Sequence, residues 1–262
     1  MKEFLGIGGY QREAEGFLSW QHLTFVTSLM AIMIFLAIFL GLKNKTKEEK
    51  EKNKVLVVSA ILIDSFEVLK ITVLCIRQNS LHAILLNLPL FLCSIQLIAI
   101  PLAAFSKGKV KEAALDFVFI FGILGAVLGT YGAAQNYGCY PVLSLDNVVS
   151  GITHSIAGFS SLYIGISKMA SMKKNNIYIT FAILLSFCVL ALIANKVIDY
   201  NYMFLRRGDG TPYDIFYNLV NGNKILYPMI VILLFVLYII VFYYIYFLCT
   251  KRKNKNYEER KN

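Results

Sequence analysis

Residues 23–42 read LTFVTSLMAIMIFLAIFLGL, a run with no charged position. About 20 apolar residues is the length a helix needs to cross roughly 30 Å of hydrocarbon. Comparable segments recur, and seven spans are predicted at about 23–42, 55–76, 83–104, 114–134, 148–168, 177–197 and 225–249. Within lipid each span must satisfy its own backbone hydrogen bonds. The runs are too uniformly apolar for the in–out alternation of a barrel, so the spans are expected to be helices. The pattern therefore predicts an all-α fold, a polytopic membrane bundle of seven transmembrane helices forming a single domain over residues 1–262, with 251–262 as a basic cytoplasmic tail.

Composition supports this reading: 57% of residues are hydrophobic, only 16% are charged, and soluble domains carry far more charge. A net charge of +10 on a soluble chain would suggest nucleic acid. Here the basic residues concentrate in short segments, the six lysines of KNKTKEEKEKNK at 43–54, Lys107, Lys109 and Lys111, Lys168, Lys173 and Lys174, and the tail KRKNKNYEERKN. In a seven-span topology these segments share one side. The positive-inside rule then puts the N-terminus outside and the C-terminus in the cytoplasm of a multi-pass cell-membrane protein. The expected partners are membrane lipids, with anionic headgroups at the cytoplasmic basic loops, and not nucleic acid. One loop breaks the pattern. Segment 199–224 places Arg206, Arg207 and Lys224 on the outer side, offset by Asp199, Asp209 and Asp214, and suggests a site for an anionic group.

The five cysteines are odd in number and contain no CxxC spacing, so neither a zinc site nor a disulfide framework is indicated, and no metal or cofactor is expected. Cys75 and Cys139 both fall near the outer face and are a candidate pair. Residues 1–21 mix charges with glycines and lack the apolar core of a signal peptide.

Polar residues inside the spans are costly and therefore informative. Span two holds Asp64, Glu67 and Lys70 at steps of three, with Glu67 and Lys70 spaced to pair. Span five holds His154 on a small, polar face with Ser150, Gly158 and Ser161, and a histidine can serve as a general base near neutral pH. Span three contains LPLFLCSIQ, in which Cys93 has Pro89 at i−4 and Gln96 at i+3. Pro89 frees the carbonyl of residue 85 and bends the helix. Each of these groups also has a plain packing reading: a buried ion pair, a hydrogen-bonded histidine, a small apolar thiol. In span four Gly125, Gly129 and Ala133, like Gly122 and Ala126, are four apart, which reads as close helix packing. Asn195, Asn201 and Arg206 cluster at the end of span six. With His22 and Lys70 they would gather in the outer half of the bundle, above Glu67 and Cys93.

FLSWQHL before span one, a glutamate in span two, LPLFLC in span three, THS in span five and NYMFL after span six occur in an order that resembles the YwaF-like bacterial integral membrane family, related to human transmembrane protein one-six-four. The resemblance covers nearly the whole chain, and NYMFL is its most specific piece. It implies a seven-helix membrane protein. The human relative is described as an acyltransferase that moves a fatty acyl chain onto a lysophospholipid through a cysteine carrier. The androgen-induced membrane hydrolases, similar in architecture, use a threonine and a histidine. On this resemblance His154, Glu67 and Asn201 match the family's histidine, glutamate and asparagine, and Cys93 matches the bacterial cysteine. Phe91 stands where the bacterial pattern has a histidine. Leu90 holds the position, directly after the proline, that the human acyl-carrying cysteine occupies.

The candidate catalytic residues are accordingly His154, Cys93 and Glu67, with Ser155 or water as other nucleophiles. The candidate substrate-binding residues are His22, Lys70, Gln96, Asn195, Asn201 and Arg206. The expected function is phospholipid or lysophospholipid acyl transfer or hydrolysis. A lipid or small-molecule binding or transport protein, and a scaffold whose polar centre only specifies helix packing, are the alternatives.

Overall fold

The structure, a computed structural model, describes residues 1–259, with side chains described through Lys251. Helix accounts for 73% of the chain, and no strand occurs among the described residues. The helices are α1 (Lys2–Leu5), α2 (Trp20–Asn44), α3 (Glu49–Gln78), α4 (His82–Leu86), α5 (Gln96–Phe105), α6 (Gly108–Tyr131), α7 (Ala134–Cys139), α8 (Leu145–Ile166), α9 (Asn176–Ile198), α10 (Asp214–Leu219) and α11 (Leu226–Glu259). Among the described residues four stretches are long and apolar enough to cross a membrane: Trp20–Asn44, Gly108–Cys139, Asn176–Ile198 and Leu226–Lys251. The predicted spans at 55–76 and 148–168 fall on α3 and α8, which are long but carry the charged and hydroxyl side chains noted above. The lysine-rich segment at 43–54 is largely helical, because α3 begins at Glu49. The first part of the basic tail continues α11 as far as Glu259, and residues 260–262 lie outside the described residues.

Local chemistry sets the helix ends. The Ser19 hydroxyl accepts from the His22 N–H at 3.2 Å and starts α2, and Ser144 accepts from the Asn147 N–H at 3.3 Å and starts α8. Asn79 closes α3 in the left-handed conformation, with the Ser80 N–H returning to the Cys75 carbonyl.

Helix α8 is the axis of the bundle. It packs on α6, α2 and α3, and most of its residues are buried. Small residues permit the close approach. A Cβ at Gly122 would lie 2.5 Å from the Ala157 carbonyl oxygen, and one at Gly158 would lie 2.6 Å from the Ala126 Cβ. The Ser161 hydroxyl donates across the same seam to the Phe119 carbonyl at 2.7 Å.

The third predicted span is not a single helix. It consists of the short α4, an irregular stretch at 87–95 and α5. Pro89 has no N–H and disfavours helix at the residue before it. The Asn87 amide turns back to the Ala83 carbonyl at 2.8 Å, and the Ser94 hydroxyl binds both the N–H and the carbonyl of Phe91. The Leu85 carbonyl, freed by the proline, accepts the Tyr202 hydroxyl, whose oxygen in turn accepts from the Leu88 N–H. Backbone can leave the helix here because its freed polar groups are paired in this way.

All five cysteines are free thiols, so the candidate Cys75–Cys139 pair is not formed.

Candidate functional site

The break in span three places Cys93 in the turn that leads into α5. From this turn the thiol lies beside His154 of α8, close enough for each side chain to influence the other's proton. His154 is about nine residues into its helix, roughly 13 Å from the start at 1.5 Å per residue, so the contact lies near mid-bundle. Its Nδ1 is 2.7 Å from the Ser150 carbonyl oxygen. A carbonyl only accepts, so Nδ1 carries the hydrogen and Nε2 is the basic nitrogen left for the thiol. Both side chains of the pair are partly accessible.

Two glycines of α6, one turn apart, make room for the pair. A Cβ at Gly125 would lie 3.3 Å from the Cys93 Cβ, and one at Gly129 would lie 1.9 Å from His154 Cδ2 and 2.0 Å from Nε2. The four-residue spacing read as packing therefore also sets the α6 face against which Cys93 and His154 lie.

Glu67 and Lys70 pair with each other at 2.7 Å on a half-buried face of α3. The Lys70 charge acts on His154, so this pair lies near the dyad. Gln96 is fully buried, and neither its Oε1 nor its Nε2 has a partner among the described residues. Ser155, the other candidate hydroxyl nucleophile, donates to the Gly151 carbonyl at 2.7 Å.

The remaining polar candidates build the scaffold around the dyad. Buried His22 accepts the Leu18 N–H on Nδ1 at 3.1 Å, which leaves Nε2–H to donate to the Thr130 carbonyl at 3.1 Å. It stacks on Tyr137 with ring centroids 3.8 Å apart and bolts the start of α2 to the end of α6. The Asn195 side chain grips both backbone groups of Tyr202, at 2.5 and 3.0 Å. Asn201 accepts from the Arg206 N–H and donates to the Arg207 carbonyl and to Asp209. The Arg206 guanidinium pairs with Asp199 at 2.6 Å. The NYMFL segment thus folds tightly on itself and delivers the Tyr202 hydroxyl to the Pro89 break. Phe91 packs edge-on to Tyr200 and Tyr202 in the same aromatic cluster.

Residues before α2 form a strap over this end of the bundle, a feature the mixed composition of the segment did not signal. Arg77, at the end of α3, donates to Asp146 at 3.0 Å, to the Leu5 carbonyl at 2.6 Å and to the Tyr10 hydroxyl at 3.1 Å. Tyr10 donates to Asp146 at 2.5 Å, and the Val142 N–H donates to Glu15 at 2.7 Å. Burial, reinforced by the Asp146 carboxylate, pushes the Tyr10 hydroxyl up to about 12.

Among the described residues no group of three or more histidine, cysteine, aspartate or glutamate side chains is arranged to hold a metal ion. No curated protein and no solved structure matches the chain. The model of the TMEM164 family matches residues 17–246, the whole of the helical core from the strap's end to α11, and the chain belongs to that family of membrane proteins.

Proposed function

We propose that this chain is a lipid acyl-transfer enzyme of the cell membrane, in which Cys93 carries the acyl group and His154 moves the proton. The observation that carries the reading is the Cys93–His154 pair, set side by side against Gly125 and Gly129, with Nδ1 committed to the Ser150 carbonyl and Nε2 left as the basic nitrogen. A thiol needs such a neighbour to become a nucleophile in apolar surroundings. Because His154 itself reaches Cys93, no histidine is required at position 91. The resemblance stated above, to proteins that carry acyl groups on a cysteine, points the same way.

In the forward half-reaction His154 Nε2 takes the thiol proton, and the Cys93 sulfur attacks the ester carbonyl of a donor lipid. The C–S bond forms, the ester C–O bond breaks, and the leaving oxygen receives the proton from His154. In the second half an acceptor hydroxyl gives its proton to His154 and attacks the thioester, and the thiolate leaves. On this reading the Glu67–Lys70 pair, whose Lys70 is near enough to bear on His154, contacts the lipid headgroup. Seven membrane crossings with the N-terminus outside, supported by the distribution of lysines, would put the strap and the 199–224 loop on the outer face.

The test is the intact mass of purified protein after incubation with phospholipid vesicles. Wild type is expected to gain a hydroxylamine-labile fatty acyl mass, and Cys93→Ala and His154→Ala are expected not to. Equal lysophospholipid turnover by wild type and both variants would refute the mechanism. Saturable uptake into proteoliposomes without acylation would favour transport instead.

A further inference from the structure

Acyl transfer through a thioester places negative charge on the carbonyl oxygen of each tetrahedral intermediate. A site that accelerates it needs donors fixed where that oxygen will be. Among the polar candidates around the dyad, Asn195, Asn201 and Arg206 spend their donors within the 199–224 loop and its junction with α9. Gln96 differs from all of them. It is fully buried and both its polar atoms are unpartnered. An unsatisfied buried amide destabilises the fold, and such exceptions call for a specific reason.

Its position supplies one. The Gln96 N–H returns to the Cys93 carbonyl at 3.3 Å, an i→i+3 bond. In a turn of that kind side chains at i and i+3 fall on the same side, so Gln96 follows Cys93 on one face of the turn. The turn opens α5, so Cys93 and Ser94 sit at the positive end of that helix, where unpaired backbone N–H groups favour negative charge.

We propose that the Gln96 carboxamide is the side-chain oxyanion donor of this site, acting with the backbone N–H of Cys93. The proposal rests on the acyl-transfer reading and adds a catalytic residue to it. When the Cys93 sulfur bonds to the ester carbon, the carbonyl electron pair moves to oxygen. Gln96 Nε2–H donates to that oxygen until the C–O bond to the leaving lipid breaks, and again when the acceptor attacks the thioester.

The test compares two reactions of the same thiol in the full-length protein in detergent. Octanoylation of Cys93 by p-nitrophenyl octanoate passes through an oxyanion, whereas alkylation by iodoacetamide does not. Gln96→Met is expected to slow octanoylation by about 10²–10³-fold, the loss typical of one oxyanion donor, and to leave alkylation unchanged. If wild type is octanoylated at Cys93 and Gln96→Met is octanoylated equally fast, this proposal is overturned and the cysteine mechanism stands. If both reactions slow together, Gln96 only holds the turn, and the proposal is again overturned. If wild type gains no hydroxylamine-labile mass at Cys93, the acyl-transfer reading itself fails and the proposal with it. Should Gln96→Met not fold, Gln96→Leu takes its place. The preference of wild type for a long-chain trifluoromethyl ketone over the matching alcohol, which cannot form an oxyanion, then gives an independent measure: it is expected to be strong, and its absence refutes the donor.

Discussion

Adding one methyl group to α6 at Gly129 should uncouple the dyad, while the same addition one turn earlier should be tolerated. A Cβ at Gly129 would sit 1.9 Å from His154 Cδ2, 2.0 Å from Nε2 and 2.6 Å from Cγ. Carbon atoms pack at about 3.5–4.0 Å, so the imidazole must move by roughly 1.5–2 Å or turn away. Its Nδ1 bond to the Ser150 carbonyl, 2.7 Å long, does not survive that displacement, and neither does the contact with the thiol. At Gly125 the nearest atoms are the Cys93 Cβ and Cα at 3.3 and 3.4 Å, which requires a shift of only tenths of an ångström. Overpacking of this kind destabilises by about 1–3 kcal/mol, with Gly129→Ala at the upper end and Gly125→Ala at or below the lower. General-base assistance is worth about 10²–10⁴ in rate, and Gly129→Ala should lose it. The assay is the pH dependence of iodoacetamide alkylation at Cys93, read by peptide mass spectrometry. Gly125→Ala should follow wild type and Gly129→Ala should follow His154→Ala. A folded Gly129→Ala protein with the wild-type profile would show that His154 does not activate this thiol.

Four further outcomes follow from the same structure. The Tyr10 hydroxyl is held up to about 12, above its ordinary 10.0, chiefly by burial and then by Asp146, so its stabilisation is complete below pH 10 and is lost as pH rises through about 12. Fluorescence of the single tryptophan, Trp20, followed across that window should report release of the strap, with Tyr10→Phe removing the transition; an identical transition in the variant would exclude Tyr10 as its source. His22→Ala strands the Leu18 N–H and the Thr130 carbonyl and should lower stability by about 1–3 kcal/mol while leaving Cys93 alkylation intact, and a selective loss of alkylation would instead place His22 at the reaction centre. Tyr202→Phe keeps the aromatic stack but leaves the Leu85 carbonyl and Leu88 N–H unpaired, so Tm should fall together with Cys93 reactivity; unchanged values would mean that the hydroxyl does not support the break. Gln96→Met should raise Tm, because it removes an unpaired buried amide, whereas a fall in Tm would reveal a structural partner for the amide.

The helices were legible because hydrocarbon imposes one demand on every residue of a span, and runs such as 23–42 meet it without ambiguity. Pro89 correctly signalled a disruption, but the extent of the break depended on a partner far away in the chain. The Tyr202 hydroxyl, set in place by Asn195, pairs with the Leu85 carbonyl and the Leu88 N–H at the break, and no periodicity near residue 89 records it. The glycines of α6 were visible for the same reason that their second use was not. Small residues four apart look the same whether the opposing atom is a helix backbone, as at Gly122, or an imidazole, as at Gly129. The strap escaped notice because its order comes from Arg77 and Asp146, each of which resembles an ordinary loop charge until the other is beside it. A polar side chain in a membrane bundle has two fates: the protein satisfies it, or it is left for something that enters. His22, Asn195 and Asn201 have the first fate and can be explained from the fold alone. Gln96, one turn beyond Cys93, has no such explanation, and on the acyl-transfer reading its unmet hydrogen bonds make the turn into α5 the place where an acyl group would complete the structure.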